Sequence, residues 1–204
     1  MKTIKILVLL AIFIGFSSCK KDDEPEVLQV ESETVSNLYA PQDGGQGEPI
    51  SGVFTKFDFT TGTTTTSDTD WDIAFRGTDI IINGGVSYVA TDEPVRNGEG
   101  AAYLATGTMA SVESVDVSFL EQDSVNGYVL SDWYLYSGPP NHIISPIPGK
   151  ILVIKTRDGK YAKIEILSYY KDAPEVVTLE IATNDSRYFT FNYVYQPNDG
   201  ELTF

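Results

Sequence analysis

The stretch ILVIKTRDGKYAKIEILSYY, residues 151–170, decides the fold class of this chain. An apolar run at 151–154 is followed by Asp158 and Gly159 and then by a second strand-like run at 161–170. Asp-Gly between two such runs favours a tight hairpin turn, because glycine adopts the positive φ angles of that turn without strain. The stretch therefore predicts two antiparallel strands joined by a hairpin.

The same pattern of short apolar or alternating runs, separated by Gly, Pro, Asn and Asp, extends from Val53 to the end of the chain. At 71–76 the alternation places Trp71, Ile73 and Phe75 on one face of a strand. No long helical periodicity and no internal repeat interrupts the pattern. The sequence thus predicts a mostly β fold, a single antiparallel β domain.

Further strands and turns follow from the same signals. The run at 80–82 stops at an Asn-Gly-Gly turn signal, and 176–182 and 188–195 read as strands before a turn at 197–200. The Thr-rich stretch 60–66 fits either a strand edge or a loop. The aromatic residues on the strands are expected to pack in the core.

Composition limits the possible functions. The 204 residues fit one domain, and 42% hydrophobic residues suffice for a packed core. A net charge of −15 would repel a phosphate backbone, which excludes nucleic acid as a partner. With one His and one Cys, the chain lacks the residues for Cys/His zinc sites, disulfide frameworks and His-dependent triads.

The amino terminus has the order of a secretory signal peptide. Lys2 and Lys5 precede an apolar run at 6–16, which is shorter than the roughly 20 residues of a membrane helix. Ser17, Ser18 and Cys19 resemble a bacterial lipobox, so Cys19 is expected to be lipidated. The predicted organisation is a signal peptide at 1–18, the lipidated Cys and a flexible acidic tether at 19–37, and a β domain at 38–204.

Several motifs in order resemble the HmuY-like family of haem-binding surface lipoproteins. Together with the lipoprotein leader they cover most of the chain from about Tyr39 to Phe204. The motifs are WDIAFR at 71–76, DWYLY at 132–136, KTRDGKYAK at 155–163, SYY at 168–170 and FTFNY at 189–193.

This resemblance implies a mostly antiparallel β fold that holds one haem between loops. It also implies a non-enzymatic protein of the outer membrane, exposed at the cell surface, that delivers haem to an outer-membrane transporter. Clustered acids after Lys20 and Lys21 resemble the surface-export signal of some Gram-negative lipoproteins.

The family binds haem iron through two axial side chains on separate loops, commonly two His and in some members Met. The resemblance therefore implies Met109 and His142 as the axial ligands of this chain. Imidazole binds iron in both oxidation states, whereas a thioether favours ferrous iron. Trp133, Tyr134 and Tyr136 precede His142 and are candidate contacts for the flat apolar haem.

Two alternatives stay open. The single His is also compatible with a relative on the same scaffold that has lost haem and binds another tetrapyrrole, a glycan or a protein partner. An enzyme using two carboxylates, such as a glycoside hydrolase, is the second alternative, although Asp68, Asp70 and Asp72 alternate without marking out a catalytic pair.

Overall fold

The computed structural model describes residues 27–45, 47–88 and 92–204, and this part of the chain is mostly β. The predicted signal peptide and Cys19 lie outside the described residues. No helix in the described ranges is long and apolar enough to cross a membrane. The strands, in chain order, are β1 (Glu31–Tyr39), β2 (Asp43–Gly45), β3 (Glu48–Ser51), β4 (Thr55–Asp58), β5 (Thr63–Thr65), β6 (Ile73–Arg76), β7 (Asp79–Ile82), β8 (Ala101–Thr106), β9 (Tyr134–Tyr136), β10 (Ile144–Pro146), β11 (Lys150–Lys155), β12 (Tyr161–Tyr170) and β13 (Ser186–Gln196).

The predicted hairpin is confirmed. Strands β11 and β12 are antiparallel, with Val153 opposite Lys163. The turn between them places Gly159 at φ +90°, and the Thr156 N–H closes it by donating to the Lys160 carbonyl at 2.8 Å. This hairpin forms the centre of a five-stranded antiparallel sheet with the order β1-β13-β12-β11-β8.

Strand β1 begins earlier than the sequence indicates. Residues 31–37, predicted to belong to a flexible tether, form most of β1 and pair with β13, for example Val35 with Phe191. The outer position of β1 explains its polar sequence, because only a minority of its side chains reach the core. The strands of the β domain therefore start before Leu38.

A second antiparallel sheet, with the order β5-β4-β6-β7, packs against the first. The Thr-rich stretch 60–66, which fitted either a strand edge or a loop, contains the edge strand β5. Phe57 meets Phe191 edge to face at a centroid distance of 5.7 Å, and Phe75 lies 4.9 Å from Phe189. The core of the domain lies between these two inner faces.

The prediction that Trp71 shares a face with Ile73 and Phe75 is wrong. Strand β6 begins at Ile73, so the alternation does not extend back to Trp71. Ile73 and Phe75 belong to the core between the sheets, whereas Trp71 packs with Ala74 in a separate cluster on the other face. Both faces of β6 are buried.

The predicted strand at 176–182 is also wrong. A short helix, α1 (Leu179–Asn184), occupies this region. The Thr178 side chain caps it by accepting a hydrogen bond from the Ile181 N–H, which stabilises a helix start. The strand predicted at 188–195 is confirmed within β13.

A buried ionic cluster joins the two sheets. The Arg157 guanidinium donates to Asp58 at 2.9 Å and to Asp72 at 3.0 Å. The Asp72 carboxylate also accepts backbone hydrogen bonds from Phe59 and Arg157. Because Arg157 follows β11 and both acids belong to the region of β4 and β6, the cluster fixes one sheet against the other.

We expect Gly159→Val to destabilise the fold by about 1–3 kcal/mol, because a β-branched residue would be forced to positive φ. The space at this position is sufficient, since an added Cβ would lie 3.9 Å from Lys155, so the cost arises from the backbone. Chemical denaturation measures the change. Gly159→Asn is the matched control and should cost less, because Asn tolerates positive φ better; equal losses in the two variants would contradict this account.

We expect the free energy of unfolding to rise as the pH falls from 7 to about 5. Burial raises the pKa of Asp72 to about 6, and it also raises the pKa values of Asp79 and Asp123. Between the unfolded value of 3.8 and about 6 the folded chain binds a proton that the unfolded chain lacks, so stability is lost as the pH rises through this window. Denaturation across this range should show a smaller pH dependence in Asp72→Asn, and a steady loss of stability from pH 7 to 5 would show that Asp72 stays ionised.

Candidate ligand-binding site

His142 lies at the tip of the β9–β10 hairpin, which stands outside the two large sheets. Its backbone adopts a φ of +52°, and its N–H donates to the Gly138 carbonyl at 3.0 Å. The base of the hairpin is fixed to the core, because the Ile144 N–H donates to the Tyr170 hydroxyl at 2.8 Å. The hairpin therefore presents an exposed imidazole on an anchored support.

The imidazole of His142 is oriented by Tyr136. The Tyr136 hydroxyl forms a short hydrogen bond with His142 Nδ1, and the two rings lie 5.8 Å apart. When Nδ1 is the donor, Nε2 carries the lone pair that a metal ion requires. Tyr136 is itself 53% exposed, so the pair faces solvent together.

A cavity of about 280 Å³ adjoins His142. Tyr169 and Tyr170 form an aromatic part of its wall, and Arg187 contributes a cation. Arg187 donates to the Gln42 carbonyl at 2.6 Å and forms no ion pair with a carboxylate in the described part of the chain. The cavity is near the lower end of the range of about 300–1,000 Å³ typical of ligand pockets, so a larger ligand would extend into solvent beside the hairpin.

Met109 lies in the loop that follows β8. Its side chain is partly buried against the cluster that contains Ile151 and Val153. The buried Lys163 holds this loop by donating to the Met109 carbonyl at 2.7 Å and the Val112 carbonyl at 2.8 Å. Burial lowers the pKa of Lys163.

The structure does not bring Met109 and His142 to one cavity. Met109 packs on the face of β11 that carries Ile151, whereas the His142 hairpin packs against the core formed by the opposite face. The cavity beside His142 does not include Met109. The loop and the hairpin nevertheless belong to the same end of the sheet, because the Gly107 N–H donates to the Gly149 carbonyl at 2.9 Å.

The candidate aromatic contacts are divided between core and surface. Trp133 is 1% exposed, donates from its indole N–H to the Thr78 carbonyl at 3.0 Å and packs against Phe189. Tyr134 is partly buried and lies against Trp133 at 4.8 Å. In this arrangement Tyr136 is the member of the set that is open to a ligand beside His142.

The acidic stretch 68–72 does not form a catalytic pair. Asp72 is buried and bound to Arg157, whereas Asp68 and Asp70 are exposed. Across the residues with described structure, no group of three or more His, Cys, Asp or Glu side chains is placed to hold a metal ion.

No sequence pattern marks Arg187 or Lys163 as a site residue. Arg187 stands in no recognisable motif, and Lys163 ends the motif KTRDGKYAK, whose pattern indicates a strand and not a site. Their places depend on contacts distant in sequence, with Gln42 for Arg187 and with the Met109 loop for Lys163.

Comparisons with known proteins agree with the fold. The chain is similar to the apo HmuY analogue of Tannerella forsythia, at 16% identity and a TM-score of 0.55, over 85% of this chain and all of the other. It is also similar to a candidate lipoprotein of Bacteroides fragilis, at 13% identity and a TM-score of 0.49, over 84% of this chain and 94% of the other. No curated protein matches.

The sequence model of the HmuY protein family matches residues 52–193, which is more than half of the chain. The matched range contains the smaller sheet, most of the larger sheet without β1, the Met109 loop and the His142 hairpin. This chain therefore belongs to the HmuY family.

Proposed function

We propose that this chain is a non-enzymatic haem-binding lipoprotein of the outer membrane. It captures haem at the cell surface through His142 and Met109 and passes it to an outer-membrane transporter. The observation that carries the proposal is the exposed imidazole of His142, which is oriented through Nδ1 by Tyr136 and adjoins a cavity with aromatic and cationic walls.

The side chains beside the hairpin match the iron, the apolar ring and the propionates of haem. Imidazole nitrogen is a common axial ligand of haem iron, and a hydrogen bond to the second ring nitrogen orients the ring and raises its basicity. The exposed ring of Tyr136 offers apolar cover at the same place. Arg187 has no carboxylate partner in the described ranges and suits a haem propionate, because a guanidinium binds a carboxylate through two donors.

Met109 is proposed as the second ligand. A thioether is neutral and soft, so it would favour ferrous iron over ferric iron. Because its side chain packs on the opposite face of the sheet from the hairpin, ligation by both residues requires the Met109 loop or the hairpin to move. Such a movement would break the hydrogen bonds of Lys163 to the Met109 loop or the contact of the hairpin with Tyr170, so haem binding has to offset this cost.

The position of β1 suits attachment to a membrane through Cys19. The described chain starts at the edge of the large sheet, where the Leu28 backbone exchanges two hydrogen bonds of 2.8 Å with the Asn198 side chain. A lipidated tether would therefore leave the domain beside β1. The His142 hairpin has no strand pairing with this edge and would stay accessible to a transporter.

The separation of Met109 from His142 favours one alternative. A relative on the same scaffold with no second ligand would bind another tetrapyrrole, a glycan or a protein partner instead of haem. Absence of a Soret shift under both oxidising and reducing conditions would select this alternative.

The ligand pair is tested by titrating the full chain in detergent with haem, with and without dithionite. Ferrous haem should give a sharp six-coordinate low-spin spectrum, and the ferric complex should be weaker or partly high-spin, because ferric iron prefers harder donors. His142→Ala should leave a weak or five-coordinate complex, and Met109→Ala should remove mainly the ferrous preference. Asn141→Ala is the control beside His142, and a wild-type spectrum in both ligand variants would rule out this pair.

The role of Arg187 is tested with haem and its dimethyl ester, which lacks free carboxylates. Arg187→Gln should weaken haem binding about tenfold and leave the binding of the ester unchanged, because the lost contact is a charge-assisted hydrogen bond. Equal weakening for both ligands would show that Arg187 acts only through the structure of the cavity.

A further inference from the structure

Strand β8 is an edge strand with no protection of its own. It is the last strand of the five-stranded sheet, beyond β11. Natural edge strands are commonly protected by charged side chains, proline or a bulge. Strand β8 has the sequence AAYLAT, and it pairs with β11 without a register shift.

The outer side of β8 carries unpaired backbone groups. Ala102 and Glu121 exchange two backbone hydrogen bonds, of 2.8 and 3.0 Å, across this outer side, whereas the Gly107 N–H points the other way, to Gly149. Because backbone groups alternate sides along a strand, those of Leu104 and Thr106 point outward with those of Ala102. In the ranges that the structure covers, no partner accepts or donates to them.

The segment that could cover this edge is held away from it. The strand-like pairing with β8 does not extend to the residues that precede Glu121, because residues 117–119 form a 3₁₀ turn capped by the Asp116 side chain. The Asp116 N–H donates to the Tyr103 hydroxyl at 3.0 Å, so this segment is bound to the end of the Tyr103 side chain and not to the backbone of the edge.

A groove of about 570 Å³ lies between β8 and this segment. Residues 103–106 of β8 line it together with Val112, Phe119 and Val129. Phe119 is 61% exposed, although its ring contacts Tyr103 at 5.8 Å. The groove therefore combines a free strand edge with apolar side chains, which is the combination that binds an extended peptide by strand addition.

The charges at the groove select the type of occupant. Asp116 and Glu121 line it, and no Lys or Arg does. A second copy of this chain, with a net charge of −15, would bring further negative charge to the same place. A segment with basic side chains meets complementary charge, which speeds association and excludes like-charged partners.

We propose that the outer edge of β8 is a docking site for an extended, basic segment of a partner protein. The partner strand pairs with Leu104 and Thr106, and its side chains contact Phe119 and the carboxylates of Asp116 and Glu121. The docking site consists only of the strand edge and the groove beside it. Binding at the site does not require bound haem.

The probe is a blocked peptide of about seven residues that alternates lysine and valine, added to the full chain in detergent. Fluorescence anisotropy measures its binding, and hydrogen exchange measures protection of the Leu104 and Thr106 amides. We expect binding that weakens as the ionic strength rises from about 0.01 to about 0.15 M, together with protection at both amides. An acidic analogue or a backbone N-methylated analogue that binds equally well would overturn the proposal.

Leu104→Pro is the decisive variant, because it removes an outward N–H that the pairing with β11 does not use. It should weaken peptide binding at least about tenfold. Because the Leu104 side chain also packs against the core, Leu104→Ala is the matched control; it should lose the same packing and bind the peptide like the wild type. If this variant fails to fold, Phe119→Ala serves instead, since its exposed ring lines the groove.

Glu121→Gln should weaken binding and reduce its salt dependence, whereas the matched control Glu180→Gln on α1 should change neither. Equal peptide binding by the wild type, Leu104→Pro and Glu121→Gln would overturn the proposal. Self-association of the wild type that Leu104→Pro abolishes would also overturn it, in favour of a second copy as the occupant.

Discussion

The contact between the inner faces of the two sheets supports every other feature of the domain. Phe57 and Phe75 from the smaller sheet meet Phe191 at centroid distances of 5.7 and 5.8 Å, and Phe191 lies on β13 inside the larger sheet. Neither sheet could cover this apolar surface alone, and its burial is the main favourable term in folding. The packed sheets form a rigid base from which the loops of both proposed sites extend.

The Arg157 cluster adds specificity to this nonpolar contact. Apolar faces can slide with little change in buried area, whereas Arg157 satisfies Asp58 and Asp72 in one relative position of the sheets. The hairpin turn at Gly159 follows Arg157 directly and sets the direction of β12. Removal of Arg157 would leave two buried carboxylates without a cation, so the cluster depends on this residue most.

The proposed haem site and the proposed docking edge lie at neighbouring parts of the sheet. Thr106 ends β8, and the loop that follows carries Met109 and reaches Val112, which lines the groove. Lys163 on β12 binds this loop through two hydrogen bonds to its backbone carbonyls. A ligand that moved the loop would therefore also change one wall of the groove.

The sequence by itself determined the mostly β class, the β11–β12 hairpin and the family, because alternation and Asp-Gly turn chemistry act over a few residues. It also predicted the burial of most strand aromatics, which the structure confirms for Phe75, Tyr169 and Phe191. Tertiary structure alone decided that β1 pairs with β13, that Trp71 faces away from the main core and that Met109 and His142 lie on opposite faces of the large sheet. These features depend on contacts between residues far apart in the chain, which local patterns do not record.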